Sequence, residues 1–90
     1  MSANSDKVKR NRAKKQAILR SMKEVPCKDC GVQYPYYVMD FDHLRDKEFN
    51  LNRAVQTGFS LERILQEAAK CDIVCANCHR ERTQLRTRVV

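Results

Sequence analysis

Ninety residues with 42% hydrophobic content, only two glycines and only two prolines make one small folded unit, and a core of that size leaves a place for a metal staple. No apolar run approaches the roughly 18 residues needed to cross a bilayer, and the opening MSANSDKVKR lacks the apolar stretch of a secretory signal. A membrane protein and a disulfide-stapled secreted domain are therefore not expected. The expected location is the cytoplasm, where five cysteines, an odd count, fit metal binding better than a disulfide framework.

The net charge of +7 is unevenly spread. Residues 1–24 hold eight Lys or Arg against two acids, residues 25–78 hold six against eight, and residues 79–90 hold four against one. Two basic ends around a mildly acidic middle suit a polyanion gripped at both ends, with DNA as the expected partner.

In chain order, SDKVKRNRAKKQAILRSMKEV is rich in helix formers and places Ile18, Leu19, Met22 and Val25 on one helical face. The spacing predicts a helix whose last turns dock, ended by Pro26, with a basic arm frayed or free before it. Lys9, Arg10, Arg12, Lys14 and Lys15 are its candidate DNA contacts. Residues 1–24 form this arm, and residues 25–90 form the domain proper.

CKDCG is a tight knuckle at Cys27 and Cys30, with Gly31 free to take positive φ. YPYYVMDFDH alternates Tyr37, Met39 and Phe41 against Tyr36, Val38, Asp40 and Asp42, and reads as a strand ending in an acid and a histidine. Residues 44–59 read as loop, with a partner strand near Glu48 to Leu51. Ser60 is the expected N-cap of LERILQEAAK, whose Leu61, Ile64, Leu65 and Ala68 form a core-facing stripe. CDIVC is a short extended lead-in to a second knuckle, Cys75 and Cys78, and a helix follows it.

The two Cys-x-x-Cys pairs supply four thiolates, which meet the tetrahedral preference of a closed structural Zn²⁺ site. A knuckle facing a second pair that opens a helix is the arrangement of a treble-clef zinc finger. Cys71 is then a small buried apolar residue rather than a ligand. With four sulfurs available, His79 is left for another role.

MDFDH followed by CANCHRERT, framed by the two cysteine pairs, resembles the HNH endonucleases, particularly the small ones carried by tailed bacteriophages. The resemblance covers roughly residues 27–85. It implies an α+β fold: a small ββα-metal motif within a treble-clef zinc finger, preceded by the basic helix. It implies hydrolysis of DNA phosphodiesters with one catalytic divalent metal, such as Mg²⁺, Mn²⁺ or another transition metal, beside the structural zinc. His43 matches the general base, Asn77 the middle letter, His79 the metal-binding last letter and Asp42 the second metal ligand.

An imidazole with an unperturbed pKa of about 6.5 can take a proton from water near neutral pH. A carboxylate and an imidazole leave open metal positions for phosphate oxygens, as four thiolates do not. Adjacent strand residues point to opposite faces, so Asp42 and His43 share a site only if the strand ends or bulges there. Asp40 with Asp42 is the rival pair. Asn77 either orients the loop carrying His43 or caps the last helix.

Arg82, Thr83 and Arg86 fall on the helical face that carries His79, and Arg82 and Arg86 are candidate phosphate contacts. Arg45 and Lys47, just past the base, read as a solvated loop. The expected oligomeric state is a monomer or weak dimer, and phage terminase or packaging proteins are possible partners. The rival reading is a zinc-finger DNA-binding or packaging-associated module without catalysis.

Overall fold

The computed structural model describes the backbone of residues 3–87 and the side chains of residues 7–87. The outermost positions of both expected segments, residues 1–2 and 88–90, lie outside this range. A long helix α1 (Ala3–Met22) leads into the Cys27 knuckle and a 3₁₀ turn at Tyr36–Val38. Strand β1 (Met39–His43), helices α2 (Leu51–Gln56) and α3 (Leu61–Ala68), strand β2 (Cys71–Cys75) and helix α4 (Ala76–Thr87) follow. This is a small α+β protein built on one two-stranded antiparallel sheet. Among the described residues, no helix is long and apolar enough to cross a membrane.

Twenty residues give α1 a length of about 30 Å, and the molecule extends 55 Å along its longest axis. Residues 7–14 of α1 are exposed. Leu19 is buried, Met22 packs on the same cluster, and Lys15 Nζ donates to the Phe59 carbonyl at 2.7 Å. The helix docks by its last turns, as its apolar spacing requires. The expected frayed arm is instead helical from Ala3 onward, and Val25 lies past the helix end and is exposed.

The knuckle closes through Gly31 N–H to the Cys27 carbonyl (2.9 Å) and Cys27 N–H to the Val32 carbonyl (2.9 Å), with Gly31 at φ 74°. Pro35 then starts the 3₁₀ turn, so the expected strand begins only at Met39.

Two further expectations fail. The partner strand near Glu48 to Leu51 is absent: the Asn50 side chain accepts the amides of Asn52 (3.0 Å) and Arg53 (3.3 Å) and turns the chain into α2. Strand β1 pairs with β2 instead, in a register that sets Met39 against Cys75 and His43 against Cys71. On α3, Ser60 caps as expected, its Oγ accepting Arg63 N–H at 3.2 Å. The buried face is Ile64, Glu67 and Ala68, while Leu65 is turned outward.

Two apolar clusters carry the fold. Leu19, Leu51, Ala54, Val55, Ile64 and Ala68 join α1, α2 and α3, with Phe41 and Cys71 against them. Cys27, Met39, Val74 and Cys75 form the second, where knuckle and sheet meet, and Lys28 N–H to the Ile73 carbonyl (2.9 Å) ties the two together.

Candidate functional site

The thiols of Cys27, Cys30, Cys75 and Cys78 all lie within 4.8 Å of one another. Among the described residues this is the one group of three or more Cys, His, Asp or Glu side chains that converges so tightly. A tetrahedron of sulfurs around zinc has edges of about 3.8 Å, given Zn–S bonds of about 2.3 Å, so the cluster fits such an ion.

Backbone amides already point at the sulfurs: Cys75 N–H donates to Cys27 Sγ at 3.3 Å, and Cys78 N–H to Cys75 Sγ at 3.4 Å. Burial works to raise the Cys27 thiol, but the amides of Cys30, Cys75 and Asp29 outweigh it and bring it down to about 6. Cys78 is raised, first by its hydrogen bond to Cys75. Four sulfurs this close cannot all ionise without a cation among them. Cys71 stands apart in the helical cluster, its thiol pushed up to about 11 by burial.

Because Cys75 and Cys78 frame the start of α4, the cysteine cluster sets that helix against β1. His79 Nδ1 lies 3.0 Å from Asp40 Oδ2, and His79 Nε2 lies 3.4 Å from Asp42 Oδ1. Asp40 and Asp42 share one strand face, so one imidazole bridges both.

Asp42 is buried and strongly compensated. Arg86 donates to both its oxygens (2.7 and 2.6 Å) and Arg82 to Oδ2 (2.8 Å). The Arg86 hydrogen bonds, opposed by desolvation and aided by Arg82, hold its carboxyl down at about 2. Arg82 also grips Asp29 through two 2.6 Å bonds and reaches Asp72 at 3.1 Å. The ladder sets Asp42 directly opposite Asp72, a repulsive pair that the shared guanidinium offsets. Arg82 and Arg86, the expected phosphate contacts, are thus both engaged by carboxylates of the sheet and knuckle.

His43 ends β1 on the opposite face from Asp42, as strand alternation requires, and turns toward α3. Its Nε2 is sealed from solvent, 3.1 Å from Glu67 Oε2 but off the line of an aligned hydrogen bond. A cleft of about 260 Å³ nonetheless brings His43 together with His79 and Asp40, and with Lys23, Lys47, Asn50 and Asn52. Desolvation lowers the Lys23 ammonium from its ordinary value, with Asp40 opposing.

Asn77 lies exposed within the first turn of α4. The residue before the helix is Cys75, whose sulfur accepts the Cys78 amide, so Asn77 is not the cap. Among the described residues its side chain makes no hydrogen bond to the loop after His43. That loop is held by Glu67, which accepts Glu48 N–H at 2.9 Å, and by Lys70, whose Nζ donates to the Asp46 carbonyl at 2.9 Å and whose carbonyl accepts Leu44 N–H at 3.0 Å.

Sequence reasoning passed over both Glu67 and Lys70. A signal existed: Glu67 sits three residues after Ile64 and beside Ala68, on the core-facing stripe where a carboxylate has no packing reason to be. Lys9, Arg12 and Lys14 are exposed along α1, which also carries Arg10, while Lys15 is half-buried by its bond to Phe59.

Comparison of the chain with family models, curated proteins and solved structures returned no match.

Proposed function

We propose that the chain is a metal-dependent DNA endonuclease of the HNH type, with a structural zinc on Cys27, Cys30, Cys75 and Cys78. The carrying observation is the convergence of His79 with Asp40 and Asp42, at 3.0 and 3.4 Å, beside a cleft that also holds His43. His79 and Asp40 lie 39 residues apart in the chain and are brought together by the fold.

Asp42 and His79 Nε2 would hold the divalent ion. Asp40, on Nδ1, then orients the imidazole, the carboxylate–histidine arrangement common at metal ligands. The ion would supply charge neutralisation at the scissile phosphate and leaving oxygen. His43 accepts a proton from water as the water oxygen bonds to phosphorus. The P–O3′ bond breaks, the 3′ oxygen gains a proton from solvent, and a 5′-phosphate remains. Lys23 and Lys47 line the same cleft and suit the phosphate charge, and the basic first half of α1 adds affinity independent of sequence.

The double guanidinium pairing of Asp42 favours one rival, a zinc-stapled DNA-binding module in which that carboxylate is purely structural. Plasmid nicking separates the two. The nuclease cuts only with added divalent metal, and His43→Ala abolishes cutting while zinc content and fold persist. A His43→Ala protein that cuts at the wild-type rate removes His43 as the base. A metal-replete wild type that binds DNA without cutting favours the module.

A further inference from the structure

We infer that Glu67 is the positioning residue for His43, holding the ring with Nε2–H turned into the protein so that Nδ1 is the nitrogen left to serve the cleft. The catalytic consequence rests on the nuclease reading above; the orientation itself does not.

Glu67 is 1% exposed on the packed face of α3. Its Oε1 accepts from Lys70 Nζ (2.9 Å) and its Oε2 from Glu48 N–H (2.9 Å). The Phe49 amide also acts on this carboxylate, and since an ionised carboxylate offers about four acceptor positions, these three donors leave room for one more. His43 Nε2 is 3.1 Å away, closed off from solvent and without any aligned hydrogen-bond partner among the described residues.

A bare ring lone pair facing a carboxylate oxygen at that distance would set two acceptors against each other at an atom closed to solvent. A proton on Nε2 turns the same contact into attraction, and a small rotation about the ring bond aligns it. The neutral imidazole has only one N–H. Nδ1 is therefore unprotonated in that form and can accept a proton from water in the cleft that His43 lines with His79 and Asp40. A carboxylate that fixes the tautomer of a catalytic imidazole does not itself take the proton.

The alternative is that Glu67 only ties down the loop after β1 through the Glu48 amide and Lys70. That role has no bearing on which ring nitrogen of His43 carries hydrogen.

The chain has two histidines, so long-range ¹H–¹⁵N correlation spectra of the zinc-loaded full chain, at a pH where both rings are neutral, show two imidazole patterns. The His43→Ala variant assigns them. The expected pattern for wild-type His43 is the Nε2–H form, moving toward a mixture in Glu67→Gln. A wild-type Nδ1–H form overturns the proposal without recourse to any variant.

In plasmid cleavage, Glu67→Gln should lower kcat about 100-fold, within the range of general-base catalysis, with KM for DNA little changed. A folded Glu67→Gln protein with wild-type kcat, against an inactive His43→Ala, also overturns it. If His43→Ala cuts like wild type, His43 is not the base, and the spectra still decide whether Glu67 holds the ring.

Discussion

His79 on α4 stands between Asp40 and Asp42 of β1, presenting Nδ1 to one carboxylate at 3.0 Å and Nε2 to the other at 3.4 Å. Arg86 competes for the same Asp42 oxygens. Removing that guanidinium should therefore free the carboxylate for a cation. Arg86→Ala is expected to raise Mn²⁺ affinity several-fold by calorimetry on the zinc-loaded protein, whereas His79→Ala, which removes a direct ligand, lowers it by more than the about 10- to 100-fold seen when a group supporting a ligand is lost. Equal affinities in all three proteins would place the ion somewhere else.

Arg82 differs from Arg86 because three carboxylates depend on it: Asp29, Asp42 and Asp72. Arg82→Ala leaves Asp42 and Asp72 facing each other across the ladder with one cation fewer. The expected loss is about 3 kcal/mol, read by urea unfolding. Arg82→Lys should recover only part of it, since an ammonium cannot make the two-pronged contact to Asp29. A neutral Arg82→Ala substitution would mean that the carboxylates are adequately solvated without it.

The second apolar cluster is made partly of two of the four clustered cysteines, Cys27 and Cys75. Chelation should therefore melt the domain rather than merely empty a site. Cys27→Ser is expected to lose the cooperative unfolding transition and the bound zinc together, measured by circular dichroism and metal analysis. Cys71→Ser, at a thiol outside the cluster, should retain full zinc content. A well-folded, zinc-free Cys27→Ser protein would count against four-sulfur ligation.

The cysteine cluster is legible in the sequence because Cys-x-x-Cys spacing is local and its chemistry is nearly unambiguous, and Ser60 is legible as a cap for the same local reason. The pairing of β1 is not. A hydrophobic pattern near Glu48 to Leu51 suits a strand or a helix, and a single Asn50 side chain with two amides to satisfy decides for the helix. The roles of Arg82, Arg86 and Glu67 depend on which carboxylates and ring nitrogens the tertiary fold sets opposite them. Spacing along one helix carries no such information.

The basic first half of α1 reaches well beyond the packed core, which begins at Leu19. Deleting residues 1–14 removes Lys7, Lys9, Arg10, Arg12 and Lys14 while sparing Leu19 and the Lys15 bond to Phe59. Every phosphate that α1 no longer neutralises should flatten the slope of log K against log salt by about 0.9. DNA binding by the shortened chain should thus weaken and show a slope reduced by about 2 to 4. An unchanged slope takes α1 out of the interface.

Glu67 gives the protein an acid limit. Burial pushes its carboxyl up, but Lys70 and the amides of Glu48 and Phe49 more than offset this and hold it at about 2. In the unfolded chain the same carboxyl titrates near about 4.3. The folded state therefore binds fewer protons between those values, and its stabilisation is complete above about pH 4.3 and fades as pH falls toward 2. Glu67→Gln has no such proton to take up. Its stability deficit, about 2 kcal/mol at neutral pH for the missing charged hydrogen bonds, should shrink steadily between about pH 4 and pH 2. Acid also displaces metal from thiolates, so the difference between the two urea midpoints is read only down to the pH at which both proteins still hold zinc and unfold cooperatively. A deficit that stays constant across that range would mean that Glu67 is protonated, or unpaired, in the native protein at neutral pH.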